Sequence, residues 1–315
     1  MNGTLEITSV GSFIDFIKEF TFKIPPYKEL LFRGQQSDKY SLLPSVGRTE
    51  KTPNLFAFER NLIEDVIANK PSEFIGLDYY NTLVKLQHYG LPTRLLDFTK
   101  NPLVALFFAC ELNEQTCHEN GEILFKTHDK TNYYTEDNII IQIMASFSQM
   151  TVYSHDSKFS DLVTGWFFSD ENLAVRFRDF EKHWLTNKQG SQQKFIDDIV
   201  NCLLTPIFVH TKMTNERIIR QQGEFLLFPN EISYHPNNKT DECPLNDLII
   251  KRSIKDYKQA LLDDMHCNII IPSKSKEKVF QELNLIGYNR MLLFPDLSEC
   301  CSYIKNQILQ YPNPI

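Results

Sequence analysis

The sequence predicts an α+β protein with one large core and a smaller C-terminal α/β part. Of its 315 residues, 42% are hydrophobic, which is enough for a sizeable core. Helical and extended patterns are interleaved without strict alternation, and a shorter strand–helix rhythm begins near residue 248. We expect an N-terminal helical segment at residues 1–27, a core domain at 28–235, and a C-terminal part at 236–315 packed on that core.

Apolar periodicity predicts the elements of the first half. Helices are expected at residues 11–22, 54–69 and 79–89 and from residue 101 onward, and strands at 30–32, 93–98, 122–126 and 138–144. Pro102 favours a helix start because the first turn does not use the N–H group that proline lacks. Thr99 is therefore expected at a strand-to-helix corner.

The second half continues with shorter elements. Helices are expected at residues 171–185 and 192–204, and strands at 207–210 and 224–228, the latter ended by Pro229. The C-terminal part then predicts strands at 248–251, 268–271 and 291–294, which alternate with helices at 254–265, 274–285 and 298–309. This order is typical of an α+β fold.

Bulk properties narrow the class of protein. The formal net charge of −7 argues against broad nonspecific binding to nucleic acid. No apolar stretch reaches the roughly 18 residues that cross a bilayer, and the N-terminus lacks a signal-peptide pattern. The seven cysteines show no CxxC spacing, so we expect reduced thiols and no metal site. We therefore expect a soluble cytoplasmic protein.

Residues 86–110 are unusually rich in polar side chains between apolar runs. They include Gln87, His88, Thr93, Arg94, Asp97 and Thr99. Because buried polar groups must be paired or functional, this stretch is predicted to be special. Strand alternation places Asp97 and Thr99 on one face and Arg94 on the other. His88 could be a general base, a metal ligand or a hydrogen-bonded structural imidazole, and the structural role is favoured because no partner has metal-ligand spacing.

Two further groups have the right chemistry for a nucleotide. Arg33, at a predicted strand end, offers a guanidinium fork to a phosphate or carboxylate, and Gly34 would let a ligand approach the backbone. The alternative is an arginine salt-bridged at a turn. Gln222 and Glu224 lie two apart at a strand start and would share a face. They could hold a ribose diol and support an oxocarbenium-like transition state, or Glu224 could simply face water.

Several motifs occur together along the chain. In order they are Phe32-Arg33-Gly34-Gln35; Leu42-Leu43-Pro44-Ser45 with Arg48; QHYGLPTRLLDFT at 87–99 with Asn101-Pro102; ALFFA at 105–109; Arg217-Ile218, Gln221-Gln222-Gly223 and Phe225; and Leu293-Phe294-Pro295-Asp296-Leu297. Together they resemble the FRG-domain family, from about residue 28 to 305. The resemblance covers most of the predicted core domain.

A second resemblance concerns mechanism. Arg33-Gly34, the corner at Thr99 and Gln222-Gly223-Glu224 are similar, in order, to the arginine, serine and glutamate motifs of ADP-ribosyltransferases. Asp97-Phe98-Thr99 stands where that family has Ser-Thr-Ser. The resemblance implies an ADP-ribosyltransferase-like split β-sheet core with surrounding helices, and NAD as the substrate. It also implies transfer of ADP-ribose or hydrolysis of the N-glycosidic bond, in a toxin or antiphage effector.

The second resemblance also assigns roles to residues. Glu224, Arg33 and Gln222 are expected to be catalytic, with Glu224 stabilising the oxocarbenium ion. The residues expected to bind NAD are Arg33, Gly34, Gln35, Thr99, Asp97, Arg94 and His88. Expected partners are NAD, a protein or nucleic-acid acceptor, and a neutralising or sensor protein, but no membrane.

Two alternatives to this enzyme stay open. One is a noncatalytic ligand- or partner-sensing module, which a cleft lacking Glu224 near Arg33 would favour. The other is a nucleic-acid-binding protein or nuclease that uses His88, Arg94 and Asp97.

Overall fold

A computed structural model describes most of the chain outside its central part. The described residues are 3–48, 55–131, 134–149, 156–158, 205–212, 215–230, 232–234, 248–251 and 267–310, with Val175, Arg176, Asp179, Lys182, Leu203 and Lys258. The helices predicted at 171–185, 192–204 and 254–265 lie outside these residues, apart from isolated positions.

The described strands form a large mixed sheet and a small one. In chain order they are β1 (Gly3–Glu6), β2 (Lys28–Gln35), β3 (Leu95–Thr99), β4 (Gly121–Asp129), β5 (Tyr134–Thr135), β6 (Asp156–Lys158), β7 (Ile207–His210), β8 (Gly223–Leu227), β9 (Ile232–Tyr234), β10 (Leu248–Lys251) and β11 (Cys267–Ile271). The large sheet has the order β1-β11-β4-β2-β3-β8-β7-β5, and the small sheet is β6-β10-β9. Only β1–β11 and β5–β7 pair in parallel among the described strands.

Helices cover both faces of the large sheet. They are α1 (Val10–Thr21), α2 (Glu59–Asn69), α3 (Tyr79–His88), α4 (Pro102–Cys110), α5 (Ile139–Ser146), α6 (Glu216–Gln221), α7 (Ser273–Leu285), α8 (Arg290–Leu293) and α9 (Leu297–Gln310). The predicted mixed α+β class is therefore confirmed. Strands from all three predicted segments take part in one sheet, since β1 and β11 pair at its edge.

Two predicted strands are wrong. Residues 138–144 fall in helix α5, where the Asn138 side chain accepts a hydrogen bond from Ile140 N at 2.9 Å and starts the helix. Every residue of α5 is buried, so its isoleucine-rich run carries no amphipathic period and looks like a buried strand. Residues 291–294 likewise overlap helix α8, whose start is capped by Asn289.

Two hydrophobic clusters lie on either side of the sheet, and β3 contributes to both. Leu95 packs with buried residues of α3, α5, β7 and β8, whereas Leu96 and Phe98 pack with residues of α1, α4, α7, β2 and β4. This alternation confirms the predicted extended segment. Strand β3 is therefore buried at every position except Asp97, which is exposed.

Helix α4 lies unusually close to the sheet at two glycines. A Cβ atom on Gly34 of β2 would lie 1.8 Å from the Ala105 carbonyl oxygen, and one on Gly121 of β4 would lie 2.2 Å from the Ala109 carbonyl oxygen. The strand β2 also runs past Arg33 and Gly34 to Gln35, because it pairs with β4 at all eight of its positions. The missing side chain of Gly34 therefore makes room for the backbone of α4.

Substituting Gly34 tests this contact. We expect Gly34→Ala to lower the free energy of unfolding by about 3 kcal/mol, because the backbone of α4 must move to admit the methyl group. The measurement is urea denaturation followed by circular dichroism. Gly11→Ala is the matched control, since a Cβ there meets only Ser9 Oγ at 3.9 Å. Gly11→Ala should raise the free energy of unfolding by at most about 0.5–1 kcal/mol, because alanine loses less conformational freedom than glycine in a helix. Equal midpoints for Gly34→Ala and wild type would contradict the close packing.

Candidate functional site

The large sheet splits between β2 and β3. In the described strands these two pair only at Phe32 and Thr99, whereas β2 pairs with β4 along its whole length. Away from this pair, the loop after β2 forms hydrogen bonds with Thr93, which precedes β3. Val46 N donates to Thr93 O at 3.3 Å, and Thr93 N donates to Ser45 Oγ at 3.3 Å. A cleft therefore opens between the diverging strands.

Two cavities lie along this cleft. Their volumes are about 440 and 280 Å³, and they share Arg33, Ser45 and Arg48. The larger cavity is also lined by Gly34 and Gln35, both predicted to bind NAD, and by Gln36, Tyr40, Ser41, Phe108 and Asn113. The smaller one is lined on its polar side by Gln87, His88, Asp97, Asn215, Arg217 and Gln221. Arginine therefore occupies the wall common to both cavities.

Arg33 crosses the gap between the strands without a carboxylate partner. Its Nη1 donates to the Asp97 carbonyl oxygen at 2.8 Å, while its Nε is buried without a hydrogen-bond partner among the described residues. It forms no ion pair with any described carboxylate. Burial lowers the pKa of Arg33 to about 10, Arg48 adds to this effect, and Asp97 opposes it. An anion in the cleft would offset both the cost of burying the Arg33 charge and the repulsion between Arg33 and Arg48.

Arg217 of α6 also lines the smaller cavity. Its Nη1 donates to the His88 carbonyl oxygen at 3.4 Å, and its guanidinium carbon lies 4.7 Å from the centre of the Phe294 ring. It too forms no ion pair with a described carboxylate. Sequence reasoning did not select Arg48 or Arg217 as site residues, although both belong to the family-like motifs, and those motifs were the available signal.

His88 and Asp97, both predicted to bind NAD, line the smaller cavity. His88 Nε2 is 3.7 Å from Asp296 Oδ1. Burial lowers the pKa of His88, Asp296 opposes this effect, and Arg217 adds to it. The Asp97 carboxylate accepts a hydrogen bond from Gln87 Nε2 at 2.9 Å. The cavity thus combines three arginines, Arg33, Arg48 and Arg217, with an imidazole whose pKa is lowered and with one carboxylate.

Glu224 points away from this cavity. Gly223 and Phe225 line it, so strand alternation directs the intervening Glu224 to the other face. Its side chain is 0% exposed. Three donors hold its carboxylate: Lys100 Nζ at 2.9 Å, His210 Nδ1 at 2.9 Å and Thr211 N at 3.3 Å. The structure therefore does not place Glu224 with Arg33.

Gln222 is not part of β8, so the predicted pairing of Gln222 and Glu224 on one strand face is wrong. Gln222 follows the last residue of α6 with φ 47°, in the left-handed region, and its side chain is exposed. Its backbone N–H closes the helix by donating to Ile218 and Ile219 carbonyls. This residue ends a helix before the strand begins.

Thr99 and Gln35 are held by other parts of the protein. Thr99 Oγ1 donates to Gln221 O at 2.5 Å and accepts from Asn101 N at 2.9 Å, which fixes the strand-to-helix corner. Thr99 is not among the residues that line either cavity. Gln35 lines the larger cavity, but its amide nitrogen donates to Glu122 Oε2 and faces Tyr40 O at 3.4 Å.

Arg94 has a structural role. Its side chain is 1% exposed and lies against Glu59, with Nε to Oε1 at 3.1 Å and Nη2 to Oε2 at 2.5 Å. Its Nη1 donates to Asn230 Oδ1 at 2.8 Å. Arg94 therefore joins α2 to the end of β8 and reaches neither cavity.

One family model matches the chain. Residues 28–118 match the FRG domain. This FRG-domain segment runs from β2 to the loop after α4 and includes Arg33, Arg48, His88 and Asp97. The resemblance of the segments after residue 118 lies outside the match. Searches of the curated proteins and of the solved structures found no match.

No helix in the described residues is both long and apolar enough to cross a bilayer. The same part of the chain contains no group of three or more histidine, cysteine or acidic side chains that could hold a metal ion. Cys110, Cys117, Cys300 and Cys301 are free thiols, and burial raises the pKa of Cys110 to about 12.

The structural role of Arg94 leads to a stability prediction. Glu59→Gln should lower the free energy of unfolding by about 3–5 kcal/mol, because it leaves the buried guanidinium without its countercharge. Glu64→Gln in the same helix is the matched control. Glu64 forms an exposed pair with Arg60 at 2.7 Å, so its loss should cost at most about 1 kcal/mol. Similar losses in the two variants, measured by urea denaturation, would refute the distinction.

Proposed function

We propose that this protein binds a phosphate-bearing ligand in the cleft between β2 and β3, with NAD as the leading candidate, and that it acts as a ligand-sensing module. The observation that carries the proposal is that Arg33 and Arg217 line one cavity, and neither forms an ion pair with a described carboxylate. Guanidinium groups bind phosphate oxygens through paired N–H donors. A bound phosphate would supply the missing countercharge.

The arrangement of the cavities supports a ligand with a central diphosphate. Arg33 and Arg48 lie where the two cavities meet, so a diphosphate there could extend a nucleoside into each. The larger cavity offers the aromatic rings of Tyr40 and Phe108 and the amide of Asn113. Aromatic rings and amides are the groups that stack on a base and bond to its edge.

The position of Glu224 favours sensing over cleavage. A carboxylate that stabilises an oxocarbenium ion must face the sugar. Glu224 instead lies on the other side of β8, where Lys100 and His210 engage it. A nuclease that uses Arg94, His88 and Asp97 is disfavoured, because Arg94 is bound to Glu59 and Asn230 and does not line the cavity that contains His88 and Asp97.

ADP-ribosyl transfer or NAD hydrolysis is the second candidate. It is favoured by one observation: Arg33, Thr99 and Glu224 lie on β2, β3 and β8, which are consecutive strands of the sheet. Under this hypothesis Glu224 would turn towards the cleft when NAD binds. The expected acceptor, the neutralising partner and the toxin or antiphage role belong to this candidate.

Calorimetric titration with NAD and ADP-ribose tests the proposed binding. We expect Arg33→Met and Arg217→Met to weaken binding about tenfold to hundredfold each, the loss typical of a charged hydrogen bond. Arg60→Met, which removes an exposed arginine of α2, should leave affinity unchanged. Urea denaturation of each variant separates lost affinity from lost folding, since Arg33 also bonds to Asp97 O. Absence of binding to the wild-type protein would refute the proposal.

Nicotinamide release distinguishes sensing from cleavage. If the chain is a sensor, neither the wild-type protein nor Glu224→Gln should release nicotinamide from NAD, and both should bind it with similar affinity. Chromatography of the incubated mixture measures the release. Glu29→Gln is the control, because it removes the other carboxylate next to Lys100, at 3.4 Å. Release by wild type that Glu224→Gln abolishes and Glu29→Gln retains would establish the second candidate instead.

A further inference from the structure

Phe294 touches a wall residue of each cavity while lining neither. Its ring lies 4.7 Å from the guanidinium carbon of Arg217, which lines the smaller cavity. It also meets the ring of Phe108, which lines the larger cavity, edge-on at 6.0 Å. Phe294 lies between α8 and α9, far along the chain from the FRG-domain segment. The C-terminal part therefore supports both halves of the cleft.

The same ring contacts a second arginine that differs in its partners. The Arg290 guanidinium carbon also lies 4.7 Å from the ring centre, but Arg290 forms ion pairs with Glu111 and with Glu299, the latter at 3.0 Å. The charge of Arg290 is thus compensated. Among the described residues Arg217 has the ring and the His88 carbonyl, but no carboxylate.

The contrast indicates what the ring does for Arg217. A carboxylate would hold the guanidinium in place but would also cancel its charge and occupy its donors. An aromatic face attracts the cation through the ring quadrupole and leaves the N–H groups in the guanidinium plane available. A ring is therefore suited to an arginine that must be fixed and still attract an anion.

The backbone around Phe294 is anchored to the elements that frame the cleft. Gln221 Nε2 donates to Leu293 O at 3.0 Å, and Gln221 itself lines the smaller cavity. Asp296 lies 3.7 Å from His88, another residue of that wall. Asn101 Nδ2 donates to Tyr288 Oη at 3.1 Å at the start of α4. These contacts fix the ring relative to both cavities.

We propose that Phe294 is a positioning residue that orients Arg217 towards the anionic group of the ligand by a cation–π contact. This inference rests on the proposed function, because it assigns a purpose to Arg217 only if the cleft binds an anion. It extends the site to a segment beyond the FRG-domain match. The ring acts through Arg217 and does not touch the ligand.

The test is a double-mutant cycle on the full-length protein, with NAD and inorganic diphosphate as probes in calorimetry. Phe294→Leu should weaken binding of both probes about threefold to thirtyfold. Phe294→Tyr, which keeps the ring, should retain near wild-type affinity. In the Arg217→Met background, Phe294→Leu should change affinity less than about twofold, because the two residues act as one unit. A merely structural role would not produce this coupling.

Phe280→Leu is the matched control for loss of a ring. Phe280 packs on Phe107 at 5.2 Å and lines neither cavity, so its loss should lower stability and leave affinity unchanged. The inference is overturned if Phe294→Leu has wild-type affinity while Arg217→Met has lost affinity. It is also overturned if Phe294→Leu lowers affinity as much in the Arg217→Met background as in the wild-type protein. If the wild-type protein binds neither probe, the proposed function fails first and this inference fails with it.

Discussion

The divergence of β2 and β3 after the Phe32–Thr99 pair is the constraint on which the cleft depends. Strand β2 stays with β4, which pairs with it at every position, and α4 lies on its backbone at Gly34. Backbone groups exposed by a split sheet must find other partners. The loop at Ser45 supplies them to Thr93, and the Arg33 guanidinium reaches the Asp97 carbonyl oxygen. The cleft is thus built into the hydrogen bonding of the sheet.

The distribution of charge separates the structural polar groups from those available to a ligand. Arg94 and Glu224 were both expected in the site, and both are buried against opposite charges. A buried ion pair is already satisfied and offers little to a ligand. Among the described residues, Arg33 instead donates to the carbonyl oxygen of Asp97, and Arg217 donates to that of His88 and packs on the Phe294 ring. None of these groups carries a negative charge, so the positive charge of both arginines can attract an anion in the cavity.

The sequence predicts local features of this fold well and long-range ones poorly. Alternation in residues 93–98 correctly separates Leu95 from Leu96 and Phe98, and Pro102 correctly marks the start of α4. Partners distant in sequence carry no local signal, so neither the pairing of Arg94 with Glu59 nor the helix against Gly34 could be anticipated. The error at Glu224 has a second cause: a shift of one residue in strand register changes the face on which a side chain lies, and Gln222, two residues earlier, lies in a helix cap and not in the strand.

The placement of β4 has a consequence for the FRG-domain segment as a building block. The match ends at residue 118, three residues before β4 begins at Gly121. Strand β4 pairs with β2 throughout and provides the second glycine beneath α4. Without β4, one edge of β2 would be unpaired and α4 would lose its contact with Gly121. In this chain the FRG-domain segment therefore depends on β4 in two ways: β4 pairs with β2, and its Gly121 leaves room for the backbone of α4.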